Sequence, residues 1–206
     1  MGILLIFVIA VIIIAVWMVQ SQNKMRQETI EQSAEEFEKL YNGNGFSVSK
    51  EIEIKTYANN MENNFNQLTK FVVDDNSKKF GIISYNSTTK KAEFKCYEYS
   101  KLINFNLYED GEQLIAGRGL AAAGGALMFG VAGAVIGSVA GNRKVKNKCS
   151  ELSVRIQVND LQNPLLTLAI LANCDKSGSV ASIYYNQAKK VADEVIATLT
   201  YIEANK

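Results

Sequence analysis

The stretch Gly119–Asn142 (GLAAAGGALMFGVAGAVIGSVAGN) constrains this chain more than any other. It carries no charge, and small residues recur in it at every fourth position, in two adjacent rows. One row is Gly117, Ala121, Gly125, Gly133, Gly137 and Gly141, broken by Phe129; the other is Ala122, Ala126, Gly130, Ala134 and Ser138. On a helix these rows lie side by side as a smooth stripe that another backbone can approach closely. In water such a helix would be poor, because each interior glycine costs about 0.8–1 kcal/mol relative to alanine. The pattern calls for close helix packing, with Gly125, Gly130, Gly133, Gly137 and Gly141 as the packing positions. Arg118 before the stretch and Arg143, Lys144, Lys146 and Lys148 after it are placed to contact a membrane surface.

A second apolar segment, Gly2–Val19, runs for 18 residues. At about 1.5 Å per residue it reaches about 27 Å, close to the hydrocarbon thickness of a bilayer. A cleaved signal peptide is the rival reading. Against it, no Lys or Arg precedes the run, the run exceeds the usual apolar core of a leader, and no A-x-A site follows. The expectation is a transmembrane anchor over residues 1–19, with Trp17 at the interface and Lys24 and Arg26 just beyond. The positive-inside rule then leaves the N-terminus outside and the main domain in the cytoplasm, at the inner membrane. Residues 20–44 read as a polar helical stalk, with a thin apolar stripe of Met25, Ile30, Ala34, Phe37 and Tyr41 and a stop at Gly43-Asn44-Gly45. The stalk is either a solvated connector or a coiled-coil surface.

Beyond it the hydrophobic period changes to two. Phe46, Val48, Ile52 and Ile54 alternate with polar residues, as in a half-buried strand. Residues 57–69 are Asn-rich and ambiguous, with Met61, Phe65 and Leu68 spaced for a short helix. Strands are expected over 70–74, 79–85, 91–97 and 102–109, separated by turn chemistry. Asp110-Gly111 signals a tight hairpin into 112–116. After the glycine-rich insert, Leu152, Val154, Ile156 and Val158 alternate cleanly, and Asn163-Pro164 turns the chain into 165–172. Val180, Tyr184, Ala188, Val191, Val195, Leu199 and Ile202 then mark an amphipathic helix, with Ser177 or Ser179 as its N-cap.

Composition narrows the chemistry. The 206 residues carry a net charge of +1 and no histidine, which argues against a nucleic-acid partner and removes imidazole-based catalysis and metal sites. Cys96, Cys149 and Cys174 are too few and too scattered for a disulfide framework. Gly117-Arg118-Gly119-Leu120-Ala121-Ala122 imitates a dinucleotide fingerprint, but no acid lies between Glu112 and Glu151 to hold a ribose. Cys149 beside Lys146 and Lys148 sits in a field that favours thiolate, yet without a base it reads as structural. Asp74-Asp75 and Glu109-Asp110 are turn pairs rather than an acid/base couple, and Asp74-x-Asn76 lacks the remaining ligands of a calcium loop. No catalytic residue, cofactor or metal is expected, and the chain does not read as an enzyme. Lys78, Lys79, Lys90, Lys91, Lys95 and Lys101 gather in the first hairpins, as a solvated face or a second membrane contact.

A half sheet is not stable alone, so the strands on both sides of the insert must meet. The insert is then a hairpin that enters and leaves on one face, in the bilayer or docked dry on the domain. The motifs Phe71-Val72-Val73-Asp74-Asp75, Tyr99-Ser100-Lys101-Leu102-Ile103-Asn104-Phe105, Glu109-Asp110-Gly111 and Leu152-Ser153-Val154-Arg155-Ile156 flank that glycine-rich run. In this the chain resembles bacterial pleckstrin-homology-like domains, and more narrowly small Gram-positive and phage proteins in which a glycine-zipper insert interrupts a PH-like barrel before its final strands. The resemblance implies an α+β fold, a small antiparallel barrel or sandwich with a C-terminal helix. It also implies an adaptor surface for lipid, peptide or protein, and it supplies no catalytic residues. The expected organisation is a transmembrane anchor over 1–19, a stalk over 20–44, a PH-like domain over 45–116 plus 149–206, and a glycine-zipper hairpin over 117–148. The expected function is a membrane-anchored binding module for anionic lipid headgroups or a membrane protein, able to self-associate through the zipper. The alternative is a phage-type superinfection-exclusion or membrane-perturbing protein that acts through an oligomerising zipper.

Overall fold

A computed structural model describes residues 2–54, 56, 67–116, 149–172 and 183–206. The chain opens with one long helix, α1 (Gly2–Gly43). It closes where Gly45 adopts φ +55° and the Asn44 amide N–H donates to the carbonyls of Leu40 and Tyr41, at 3.2 Å each. The left-handed glycine ends the helix as the Gly-Asn-Gly signal implies.

Among the described residues, eight strands follow in two antiparallel sheets. The first, sheet A, comprises β1 (Lys50–Ile54), β2 (Gln67–Asp74), β3 (Lys79–Asn86) and β4 (Lys91–Glu98), in sequential order. A one-turn 3₁₀ helix at Tyr99–Lys101 carries the chain to the second sheet. There β5 (Leu102–Glu109), β6 (Glu112–Ala116), β7 (Leu152–Val158) and β8 (Leu165–Leu171) lie in the order β6-β5-β7-β8. The C-terminal helix α2 (Ile183–Ala204) packs on β5, β7, β8 and β1.

The main core lies between the sheets and under α2. Phe71, Phe80, Phe105, Val154, Ile156, Ile170, Ala188, Val195 and Leu199 are all fully buried there. The alternation read in β7 is the one that is buried: Leu152, Val154, Ile156 and Val158 face inward. On α2 the buried stripe contains Tyr185 rather than the expected Tyr184, which is exposed, and Val191 is only partly covered. Leu68, assigned from its spacing to a short helix, lies instead in β2 and pairs with Tyr85. The PH-like arrangement of antiparallel sheets with a C-terminal helix is present, but among the described residues the two sheets stay open and no barrel closes. At the corner where β1 approaches β8 the hydrogen bond is a side-chain one, from Thr56 Oγ1 to the Ala169 carbonyl at 2.8 Å.

The N-terminal expectation has no full counterpart here. Among the described residues, no helix is long and apolar enough to cross a membrane. The side chains of residues 2–12 and 15 lie outside that set, and the described apolar positions from Ile13 to Val19 are too few to span a bilayer alone.

Candidate functional site

Every position singled out for helix packing (Gly125, Gly130, Gly133, Gly137 and Gly141) lies outside the described residues. So do Arg118, Arg143, Lys144, Lys146 and Lys148, singled out for membrane contact, as well as Cys174 and the N-cap serines. The structure does show where the insert leaves the domain and how it returns. Ala116, the last residue of β6, stands opposite Asn106, whereas Leu152, the first of β7, stands opposite Glu109. Strands β6 and β7 therefore run parallel on either side of β5. The intervening chain must come back about three strand residues, or roughly 10 Å, before it pairs again.

Asp110 receives that return. With Asp110 at φ +48° and Gly111 at φ +80°, the β5–β6 connection has both central residues left-handed, the geometry of the tightest hairpins. This aims the Asp110 carboxylate at the chain that re-enters. Its Oδ1 accepts hydrogen bonds from the Ser150 amide (2.8 Å), the Ser150 hydroxyl (2.9 Å) and the Glu151 amide (2.9 Å). The Asp110 amide in turn donates to the Glu151 carbonyl at 2.9 Å. The sequence marked Asp110-Gly111 as a turn but gave no signal for this latch, because its partners lie 40 and 41 residues away. Next to it, Cys149 is buried and its thiol donates to the Glu151 carbonyl at 3.4 Å, a structural role.

The second organising contact is the one between α1 and sheet A. Phe37 is buried, with Leu40 and Tyr41 packed beside it, on the outer face formed by Val72, Ile83, Tyr85, Ala92, Phe94 and Cys96. Phe46 joins them, with its ring 5.6 Å from that of Tyr41 and 5.2 Å from that of Phe94. The Lys70 ammonium sits 5.4 Å from the centroid of the Phe37 ring, and the Tyr85 hydroxyl donates to Gln32 Oε1 at 3.1 Å. The stalk is thus neither a solvated connector nor a free coiled-coil surface over this stretch. Phe37 and Tyr41 of its stripe meet the sheet, while Ile30 and Ala34 stay exposed.

At one end of the sandwich the inner face of sheet A turns polar and the sheets part. A cleft of about 370 Å³ opens there, lined by Thr56, Gln67, Thr69, Ser84, Glu93 and Lys95 together with part of β8. The connection 57–66, which joins two of its walls, lies outside the described residues. At the opposite end the paired aspartates tie elements together. Asp74 is buried and accepts from the Ser47 amide (2.8 Å) and the Ser77 amide (3.0 Å). Burial alone would raise its pKa; the amide donors outweigh that and hold it below the ordinary value. Asp75 accepts from Lys78 Nζ (2.8 Å), the Tyr99 hydroxyl (3.1 Å) and the Tyr201 hydroxyl (3.1 Å), which joins the β2–β3 turn to α2. Among the described residues, no group of three or more Asp, Glu, Cys or His side chains could hold a metal ion.

Among the described residues, three buried side-chain oxygens on α1 and α2 have no hydrogen-bond partner: the Tyr41 hydroxyl, Asp193 Oδ1 and Glu203 Oε2. Burial raises the pKa of Asp193 to about 6 against the opposing pull of Lys189. Burial likewise raises the pKa of the Tyr41 hydroxyl.

No curated protein and no solved structure matches this chain. A family model does match, over residues 55–172, which is more than half of the 206; it takes in β2 to β8 and leaves α1, β1 and α2 outside. With its second sheet interrupted between β6 and β7 by a glycine-rich insert, the chain belongs to the family described as glycine zipper containing PH domain.

Proposed function

We propose that the chain is a membrane-anchored PH-like binding module, displayed at the inner face of the cell membrane and able to self-associate through its glycine zipper. The observation that carries this reading is the surface of α1 from Ile13 to Val19. Ile13, Ile14, Val16, Trp17, Met18 and Val19 are all more than half exposed and together cover every side of the helix. A helix segment that is apolar all round and left exposed by the described residues of its own domain requires an apolar solvent or a partner. The sequence before it is apolar throughout, and Lys24 and Arg26 follow on the side assigned to the cytoplasm.

The sheet topology supports the expected course of the insert. Because β5 pairs with both β6 and β7, an insert that crossed a bilayer once would place hydrogen-bonded neighbours on opposite sides. In this reading the insert enters and leaves on one face. Arg118 and the Arg143–Lys148 cluster rest on anionic headgroups, and the Gly125–Gly141 positions pack helix on helix. The test is to express the full chain and wash its membranes with alkaline carbonate. Retention is expected, and release would refute the anchor. Asn76→Cys, in the exposed β2–β3 turn, should react with an impermeant thiol reagent only in opened cells. Labelling of intact cells would reverse the orientation.

A further inference from the structure

We infer that the β3–β4 turn, through Lys90 and Lys91, is the surface by which the domain touches anionic lipid headgroups; this rests on the anchor reading above. The geometry comes from how α1 lies on sheet A. Gln32 meets Tyr85 near the end of β3, while the carbonyls of Asn44 and Gly45 meet Lys79 Nζ at its start. Twelve helical residues cover about 18 Å and six strand residues about 20 Å, so α1 runs nearly along β3 and antiparallel to it. Its N-terminal part therefore leaves the domain past the β3–β4 turn, and the β2–β3 turn lies at the far end.

The spacing fits contact. From Val19 to Gln32 the helix rises about 20 Å. From Tyr85 to the tip of the turn at Thr88 is about 10 Å in the same direction. The tip thus stands about 10 Å from the end of the apolar run. The headgroup layer fills about 5–7 Å of that gap, and the Debye length at physiological salt is about 8 Å.

The lysines sort accordingly. On sheet A, Lys50 pairs with Glu194, Lys70 with Glu51 and Lys78 with Asp75. Lys79 donates to two backbone carbonyls and Lys95 to Asn163 Oδ1. Lys90 and Lys91 are exposed and form no ion pair or side-chain hydrogen bond among the described residues. Lys90 is held out at φ +53°. Glu93, exposed two residues along β4, is offset by Lys95 on the same face, and Lys24 and Arg26 offset Glu28 and Glu31 in the helix sequence, so Lys90 and Lys91 remain as excess positive charge.

The test uses the full chain with its three native cysteines replaced by alanine, carrying a fluorophore on Thr88→Cys or on Asn76→Cys. It is reconstituted in vesicles containing phosphatidylserine and a nitroxide-headgroup lipid. Strong quenching at Thr88 and little at Asn76 is expected, lost in the Lys90→Gln/Lys91→Gln chain or in neutral lipid. At about a fivefold effect per basic residue near an anionic surface, the double variant should lower the contact population about thirtyfold. Equal quenching at both positions with the chain still floating on the vesicles overturns the orientation and spares the anchor. Quenching at Thr88 that survives both the double variant and neutral lipid overturns the lysine contact. A chain that does not float with the vesicles overturns the anchor and this inference together.

Discussion

Replacing Phe37 with alanine should lift α1 off sheet A while leaving the domain folded. Phe37 is 2% exposed, its ring lies 6.4 Å from that of Tyr41, and the Lys70 ammonium covers its face. Full truncation of a core phenylalanine costs about 3–5 kcal/mol. The low end applies, because this cluster sits between one helix and one sheet and can relax toward solvent. A loss of about 3 kcal/mol multiplies the undocked population about a hundredfold. The main core does not share the loss, since its residues lie on the other face of sheet A and under α2. The opening is therefore local rather than global.

Two cysteines report it separately. Cys96 lies half-buried in the α1 cluster, where burial raises its thiol pKa, and Cys149 is buried in the main core. In a Cys174→Ser chain, thiol labelling resolved by mass should show the part of Cys96 modification that passes through undocking rise about a hundredfold. Cys149 should keep its original rate. If both accelerate in step, the two clusters form one cooperative unit and the reasoning fails. If neither changes, α1 is not held by Phe37.

Three further outcomes follow from single groups. Tyr41→Phe removes a buried hydroxyl that has no partner among the described residues and should stabilise the chain by about 1 kcal/mol, seen as a higher denaturation midpoint. A clear loss would mean the hydroxyl is satisfied in solution. Asp193 has its folded pKa raised to about 6, so the folded state holds its proton more tightly than the unfolded one. Its contribution is complete below about pH 4, where the unfolded group also titrates, and is lost as pH rises through 6. Discounted for its partial exposure, Asp193→Asn should gain about 1 kcal/mol at pH 7 and little at pH 4, by urea unfolding at both; an equal gain at both would refute the titration. Asp110→Ala should cost about 2–4 kcal/mol, because the Ser150 and Glu151 donors lose their acceptor and alanine is strained at φ +48°, while Asp110→Asn should cost less. Thermal melts of the two variants decide this.

The strands were legible because each carries its own period. Leu152 to Val158 alternates over seven residues, and Asp110-Gly111 and Asn86 to Thr89 close the hairpins beside them with residues whose turn chemistry is local. Long-range choices were not legible. Nothing in the order of residues says that Asp110 should hold Ser150, or that Thr56 should bond to β8 without closing a barrel. Those partners lie dozens of residues away and are brought together by the packing of two sheets. On α2 the spacing of three and four fitted both Tyr184 and Tyr185 well enough, and the helix rotates to bury Tyr185 next to Glu109.

The stalk shows why periodicity alone misassigns such a helix. Its stripe reads as Met25, Ile30, Ala34, Phe37 and Tyr41, yet among the described side chains the first buried one is Ser33, whose hydroxyl donates back to the Ile30 carbonyl at 2.7 Å. A polar residue that satisfies itself on its own helix can face a sheet as readily as an alanine, so it broadens the docking face without adding to the apolar pattern. The sheet side was equally hidden. Val72, Ile83 and Tyr85 read as the outward half of ordinary amphipathic strands, where Phe71 and Ile82 are the inward half. A sheet apolar on both faces needs two covers, and among the described elements α2 and the second sheet cover the inner one. The second cover had to be α1, so the polar look of residues 20–44 concealed the element that fixes how the domain is oriented relative to its apolar N-terminus.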